Sequence, residues 1–162
     1  MNVDLVMADM ALVQSLASDP SALRGMAANW DKVQEEVLSS VGATLVLYER
    51  TRATAPWLSY FAKREGELVG ICSFAAPPAA GLVEIAYFTF PPYERRGIAS
   101  AMVAELVRIA FNAPEISAVV AHTAPEENAS THILRKLGFL RDGSIQDDEI
   151  GEAWRWRKSR TL

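Results

Sequence analysis

The rhythm of apolar and polar positions changes about a third of the way along the chain. Before residue 57 the spacing is helical: within 31–38, Val33, Val37 and Leu38 share one face. Asp19 followed by Pro20 reads as an N-cap and a first-turn proline. A short strand is predicted over 3–6. From Trp57 onward β-branched and aromatic residues dominate. Two such runs, 57–63 and 68–75, flank Arg64-Glu65-Gly66-Glu67 and predict a hairpin with a glycine-containing turn. A further strand over 83–90 stops at Pro91-Pro92, which lack the amide donors of a ladder. An apolar helix follows over 98–111, ended by Pro114, and then a fully apolar, buried strand over 116–121. A helix over 129–137 ends at Gly138, and 139–144 with 153–157 reads as a closing hairpin. Strand and helix alternating in this way predict an α/β fold, a mixed sheet with helices covering it.

Composition narrows the class. The 162 residues, 50% apolar and 22% charged, suit one globular domain spanning 1–162, with no repeat or linker to divide it. The Pro/Ala/Gly-rich stretch 75–81 reads as a loop inside that domain. The lone Cys72 excludes a disulfide framework and a CxxC zinc site. It lies in the apolar run Val69-Gly70-Ile71-Cys72 and reads as a core residue; no metal site is predicted. A net charge of -4 argues against nucleic-acid binding through general phosphate attraction. No apolar run reaches the roughly 18 residues of a membrane span. The start, MNVDLVMADM, lacks the basic region of a signal or transit peptide. A cytoplasmic protein is therefore expected.

The segment 83–111, VEIAYFTFPPYERRGIASAMVAELVRIAF, carries the most chemistry. A strand enters a tight turn with Arg95, Arg96 and Gly97, then runs directly into a helix. Amides at a helix start lack intrahelical partners and sit at the positive end of its dipole, a geometry that binds phosphate. Gly97 and Ala99 keep bulk away from such a ligand. The same residues also fit a plain strand-to-helix turn with solvated arginines. Neither GxxxxGK[ST] nor GxGxxG occurs, so the two common nucleotide loops are excluded. Glu84 is the one acid in its apolar strand, sharing a face with Ala86, Phe88 and Phe90, while Ile85, Tyr87 and Thr89 take the other. His122 follows an apolar strand, and the acidic run Asp147-Asp148-Glu149 reads as a solvated turn. Trp154 and Trp156 share a sheet face as packing residues, and Met7, Met10, Met26 and Met102 read as core fillers.

These motifs resemble the GNAT superfamily of acyl-CoA-dependent N-acyltransferases. Glu94-Arg95-Arg96-Gly97-Ile98-Ala99 is similar to that family's (Q/R)xxGx(G/A) pyrophosphate loop, departing only at Glu94. His122-Thr123-Ala124-Pro125-Glu126-Glu127-Asn128-Ala129-Ser130 resembles the HTxPExNAS segment of the branch holding ribosomal-protein N-terminal acetyltransferases. Ile133-Leu134-Arg135-Lys136-Leu137-Gly138-Phe139 resembles that branch's RVLEKLGF. The likeness covers about residues 57–157 with the motifs in order.

The resemblance implies a central mixed, mostly antiparallel sheet with helices on both faces and splayed fourth and fifth strands. It implies acetyl-CoA as co-substrate, with backbone groups of Phe88, Thr89 and Phe90 holding the pantetheine arm. Amides of Arg95, Arg96, Gly97, Ile98, Ala99 and Ser100 would hold the pyrophosphate. Asn128 would contact that arm, cap the next helix, or do both. The implied reaction is direct transfer of acetyl to a primary amine, of a small molecule or of a peptide or protein N-terminus. Glu84 is the candidate base, Ser130 the candidate acid, and His122 a candidate proton shuttle. Many family members carry a tyrosine acid at the position of Leu134, which is absent here. The alternative is a module that binds or senses acyl-CoA without transfer. Family members often dimerise, so a homodimer is also among the expectations.

Overall fold

The computed structural model describes residues 2–161. Its strands are β1 (Asp4–Ala8), β2 (Ser59–Arg64), β3 (Glu67–Phe74), β4 (Leu82–Thr89), β5 (Ala118–Thr123), β6 (Leu140–Asp147) and β7 (Gly151–Ser159). They form one sheet in the order β1-β2-β3-β4-β5-β7-β6. Every neighbouring pair is antiparallel except β4 with β5, which run parallel. The helices are α1 (Met10–Ser18), α2 (Trp30–Thr51), α3 (Ile98–Asn112) and α4 (Ala129–Lys136).

Strand alternation separates two faces. A Cβ at Gly70 would meet Met102 of α3, so Gly70 and Cys72 look toward that helix. Ile71, Ser73, Ala86 and Phe88 line a cavity together with α2, so they occupy the other face. The mixed sheet covered on both faces is the architecture expected from the sequence. Trp156, Phe61, Phe74, Phe90 and Met102 are among the largest fully buried side chains.

Local differences have identifiable causes. Asp19 accepts from the Ser21 amide (3.2 Å), but Pro20 opens a 3-10 turn, Pro20–Gly25, rather than an α-helix. The N-terminal helix is α1 instead, capped by Asp9 accepting from the Leu12 amide (2.9 Å). The helical spacing at Val33 and Val37 continues through Val41, Thr44 and Tyr48, all buried, which carries α2 to Thr51. Met102 is fully buried, yet Met10 is exposed on α1 and does not fill the core.

Two buried polar side chains tie helices to the sheet. The Tyr48 hydroxyl donates to the Ala8 carbonyl (2.6 Å) and accepts from the Ser59 amide (2.8 Å), joining α2 to β1 and β2. Asn29 receives the Leu68 amide (2.9 Å) and donates to the Leu68 carbonyl (2.8 Å) and the Tyr93 hydroxyl (2.7 Å). It thereby links the start of α2, the start of β3 and the turn that precedes α3.

Candidate active site

The sheet is open at its centre. β4 and β5 are paired only from Leu82–Ala118 to Ile85–Ala121. Beyond that, β4 stays on β3 as far as Thr89, and β5 stays on β7 as far as Thr123. The Ala75 amide donates to the Glu84 carbonyl and the Phe90 amide to the Val69 carbonyl, both 2.9 Å. Those bonds put Glu84 and Phe90, and by alternation Ala86 and Phe88, on the β3 ladder. The backbone groups of Tyr87 and Thr89 therefore face the opening. This corrects the expectation for Phe88 and Phe90, whose main-chain groups are turned to β3 and away from the opening.

One side of this opening leads to the start of α3. Gly97 stands at its N-cap with φ 77°, a left-handed conformation open to glycine at little cost. Having no side chain, it supplies no cap, so the first-turn amides of Ile98, Ala99 and Ser100 keep their donors for another acceptor. Arg95 and Arg96 are exposed beside them, and the Arg96 guanidinium lies 5.5 Å from the centre of the Tyr93 ring. Tyr93 is in turn held by Asn29 and by Glu67 (3.0 Å).

On the α2 face, Glu84 of β4 and His122 of β5 meet Asp147 from the end of β6. His122 Nδ1 lies 3.1 Å from Asp147 Oδ2 and 3.4 Å from Glu84 Oε2. Facing two carboxylates, Nδ1 is assigned the proton and donates to Asp147. Asp147 is thus no solvated turn residue, as the sequence reading had it. The Glu149 amide holds its carboxyl below the usual aspartate range, with His122 and the Ile150 amide adding to the effect. Glu84 moves the opposite way. Burial raises its carboxyl, His122 and Arg155 oppose the rise, and Asp147 and Glu149 add to it. A cavity of about 450 Å³ opens on this face between α2 and the sheet. Thr44, Leu47, Ile71, Ala86 and Phe88 form much of its wall, with Arg50 and Glu149 supplying charge.

On the opposite face α4 begins. Asn128 caps it, accepting from the Thr131 amide (3.0 Å), while Thr131 Oγ1 accepts the Asn128 amide (2.9 Å) in a reciprocal capping box. In the first turn the Ser130 hydroxyl lies 2.6 Å from the Tyr87 hydroxyl. Leu134 is fully buried, so no polar group is presented at that position. Sequence reasoning brought Glu84, His122 and Ser130 forward but missed Asp147 and Tyr87. Their partners lie 25 and 43 residues away, and no local pattern reports such a meeting.

β4 and β5 thus open beside a glycine-headed helix, with a carboxylate–imidazole cluster on the flank. The family model for the acetyltransferase (GNAT) domain matches residues 4–140, and the chain belongs to that family. It is 26% identical over 113 residues to the uncharacterized N-acetyltransferase YoaA of Bacillus subtilis (strain 168), covering 69% of this chain and 63% of that relative. Among solved structures it resembles RimL, a ribosomal L7/L12 alpha-N-protein acetyltransferase in complex with coenzyme A. That match has a TM-score of 0.66 at 20% identity, over 98% of this chain and 94% of the other. The microcin C7 self-immunity acetyltransferase MccE, in complex with acetyl-CoA and AMP, aligns with a TM-score of 0.68 at 16% identity, over 98% and 93% of the two chains. No helix among the described residues is long and apolar enough to cross a membrane.

Proposed function

We propose that this protein transfers the acetyl group of acetyl-CoA directly to a primary amine. The observation that carries this reading is the opening between β4 and β5, with free backbone edge at Tyr87 and Thr89 and uncapped amides at the start of α3. The edge suits a chain of amides added like a strand, and the helix start suits a pyrophosphate. Those are the parts of CoA, and the coenzymes named in the RimL and MccE structures support the choice. Thr89, with Tyr87, would hold the pantetheine amides. Arg95, Arg96, Gly97, Ile98, Ala99 and Ser100 would hold the pyrophosphate. Asn128 uses its side-chain oxygen for the helix cap, and its amide NH2 can donate to a ligand.

When bound, acetyl-CoA supplies the activated thioester. Glu84 takes the proton of the attacking amine, directly or through water, and its raised pKa makes it a stronger base than an ordinary carboxylate. His122, its Nδ1–H fixed by Asp147, stands beside Glu84 and leaves Nε2 as the ring nitrogen that can take up a proton. Ser130 donates to the sulfur as the carbon–sulfur bond breaks. The amine enters through the 450 Å³ cavity, whose largely apolar wall fits an apolar body and whose Glu149 carboxylate can meet its amine. Small-molecule amines and peptide N-termini both have that form, and the named activity of RimL on a ribosomal protein favours the second. We assign the protein to the cytoplasm, a reading supported by Cys72, a free buried thiol of the kind a reducing compartment maintains.

Thiol release from acetyl-CoA across a panel of amines and short peptides, with CoA binding measured by calorimetry, tests the proposal. Turnover on at least one amine is expected. Tight CoA binding without turnover on any amine would replace it with an acyl-CoA-binding module, and no CoA binding would overturn both.

A further inference from the structure

We propose that Tyr87 is a positioning residue for thiolate departure: its phenol fixes the Ser130 hydroxyl so that the serine proton points at the leaving sulfur. The inference rests on the acetyl-transfer reading above and deepens it. Its basis is one contact between separate elements. Tyr87 stands on β4 two residues beyond the last β4–β5 pair, and its hydroxyl meets Ser130 of α4 at 2.6 Å. The pair therefore bridges the strand that edges the opening and the helix that begins beside it.

The direction of the bond follows from acidity. A phenol is a far better donor than an aliphatic alcohol, and the serine oxygen is the better acceptor, so Tyr87 donates to Ser130. Serine has a single proton. With its oxygen already receiving a hydrogen bond, that proton is free to serve another acceptor, and polarisation by the phenol strengthens it as a donor. Burial of Tyr87 raises its pKa, with Ser130 opposing the rise, so the phenol stays protonated and keeps donating through the neutral range. No proton leaves Tyr87 in this scheme. Its hydroxyl orients a donor, and the departing thiolate is stabilised by the Ser130 hydrogen bond until it takes up a proton from solvent and leaves as thiol.

Tyr87→Phe keeps the ring and removes only the hydroxyl, and Ser130→Ala removes the group it positions. Each single change is expected to lower kcat roughly tenfold or more, the scale of one lost hydrogen bond to a charged group, with KM for acetyl-CoA unchanged. The double variant is expected to be no slower than Ser130→Ala alone, because Tyr87 acts only through Ser130. Binding supplies a readout free of turnover. The wild-type preference for CoA over its desulfurised analogue, measured by calorimetry, is expected to fall equally in both single variants. Additive losses in the double variant, or a Tyr87→Phe enzyme with wild-type kcat and wild-type sulfur preference, would overturn the proposal. A wild-type protein that turns over no amine would overturn the acetyl-transfer reading instead, while the sulfur preference would still report on Tyr87.

Discussion

Glu84 shows how surroundings change the acidity of one side chain. As the only acid in an apolar strand it is conspicuous, but a carboxylate at the ordinary value is a weak base. Burial beside β5, together with Asp147 and Glu149, raises its pKa above the ordinary carboxylate value and makes it a better proton acceptor. His122 and Arg155 limit the rise. Glu84→Gln is expected to lower kcat/KM by about 10²–10⁴-fold. It should also remove the acid limb of the pH–rate profile, a limb lying above the ordinary glutamate range in the wild type. Rates measured from mildly acidic to mildly alkaline pH check this; an unchanged acid limb would assign it to another group.

At the scale of elements, the turn between β4 and α3 does the positioning. Gly97 adopts φ 77° at the helix start, where a β-branched side chain is strained and shields the free amides. Gly97→Val is expected to destabilise the fold by about 1–2 kcal/mol. It should weaken CoA binding by roughly tenfold or more, the equivalent of about 1.4 kcal/mol. Thermal denaturation and calorimetric titration separate the two effects. Behind that turn, Asn29 is 2% exposed and makes three hydrogen bonds, two to Leu68 and one to Tyr93. Asn29→Ala leaves the buried Leu68 main chain without these partners and is expected to cost about 2–3 kcal/mol. Because Tyr93 packs against Arg96, the same change should also raise KM for acetyl-CoA.

For the whole molecule, the site sets how stability depends on pH, and its two carboxylates act in opposite senses. Asp147 has a lowered pKa in the fold, so it contributes stability above its unfolded value and loses it as pH falls through the folded one. Asp147→Asn is therefore expected to lower Tm at neutral pH, with the gap closing in acid. Glu84 has a raised pKa, so its contribution is present below the unfolded glutamate value and is lost as pH rises through the folded one. At neutral pH its charge works against folding, and Glu84→Gln should raise Tm while it reduces activity. A variant that is slower yet more stable is the signature of a group kept for chemistry. Tm measured from acid to neutral pH for both variants checks the opposite signs.

The strands, the long α3 and the glycine at its head were legible in the sequence because local rules produce them. Alternation, helical spacing, prolines without donors and a left-handed glycine all act within a few residues of one another. The lone acid of β4, the histidine of β5 and the serine of α4 were visible for the same reason. The order of the sheet brought Glu84 and His122 together and settled where each strand's polar backbone points. Phe88 and Phe90 looked as available as Thr89 until the β3 ladder took up their side of β4. Asp147 looked like surface charge until the β6–β7 hairpin folded it onto His122. Tyr87 looked like one more aromatic until α4 set Ser130 against it. Sequence determines the conformation of each element through short-range sterics and hydrogen bonding. Which polar groups become partners depends on contacts between residues far apart in the chain, and only the tertiary structure decides those.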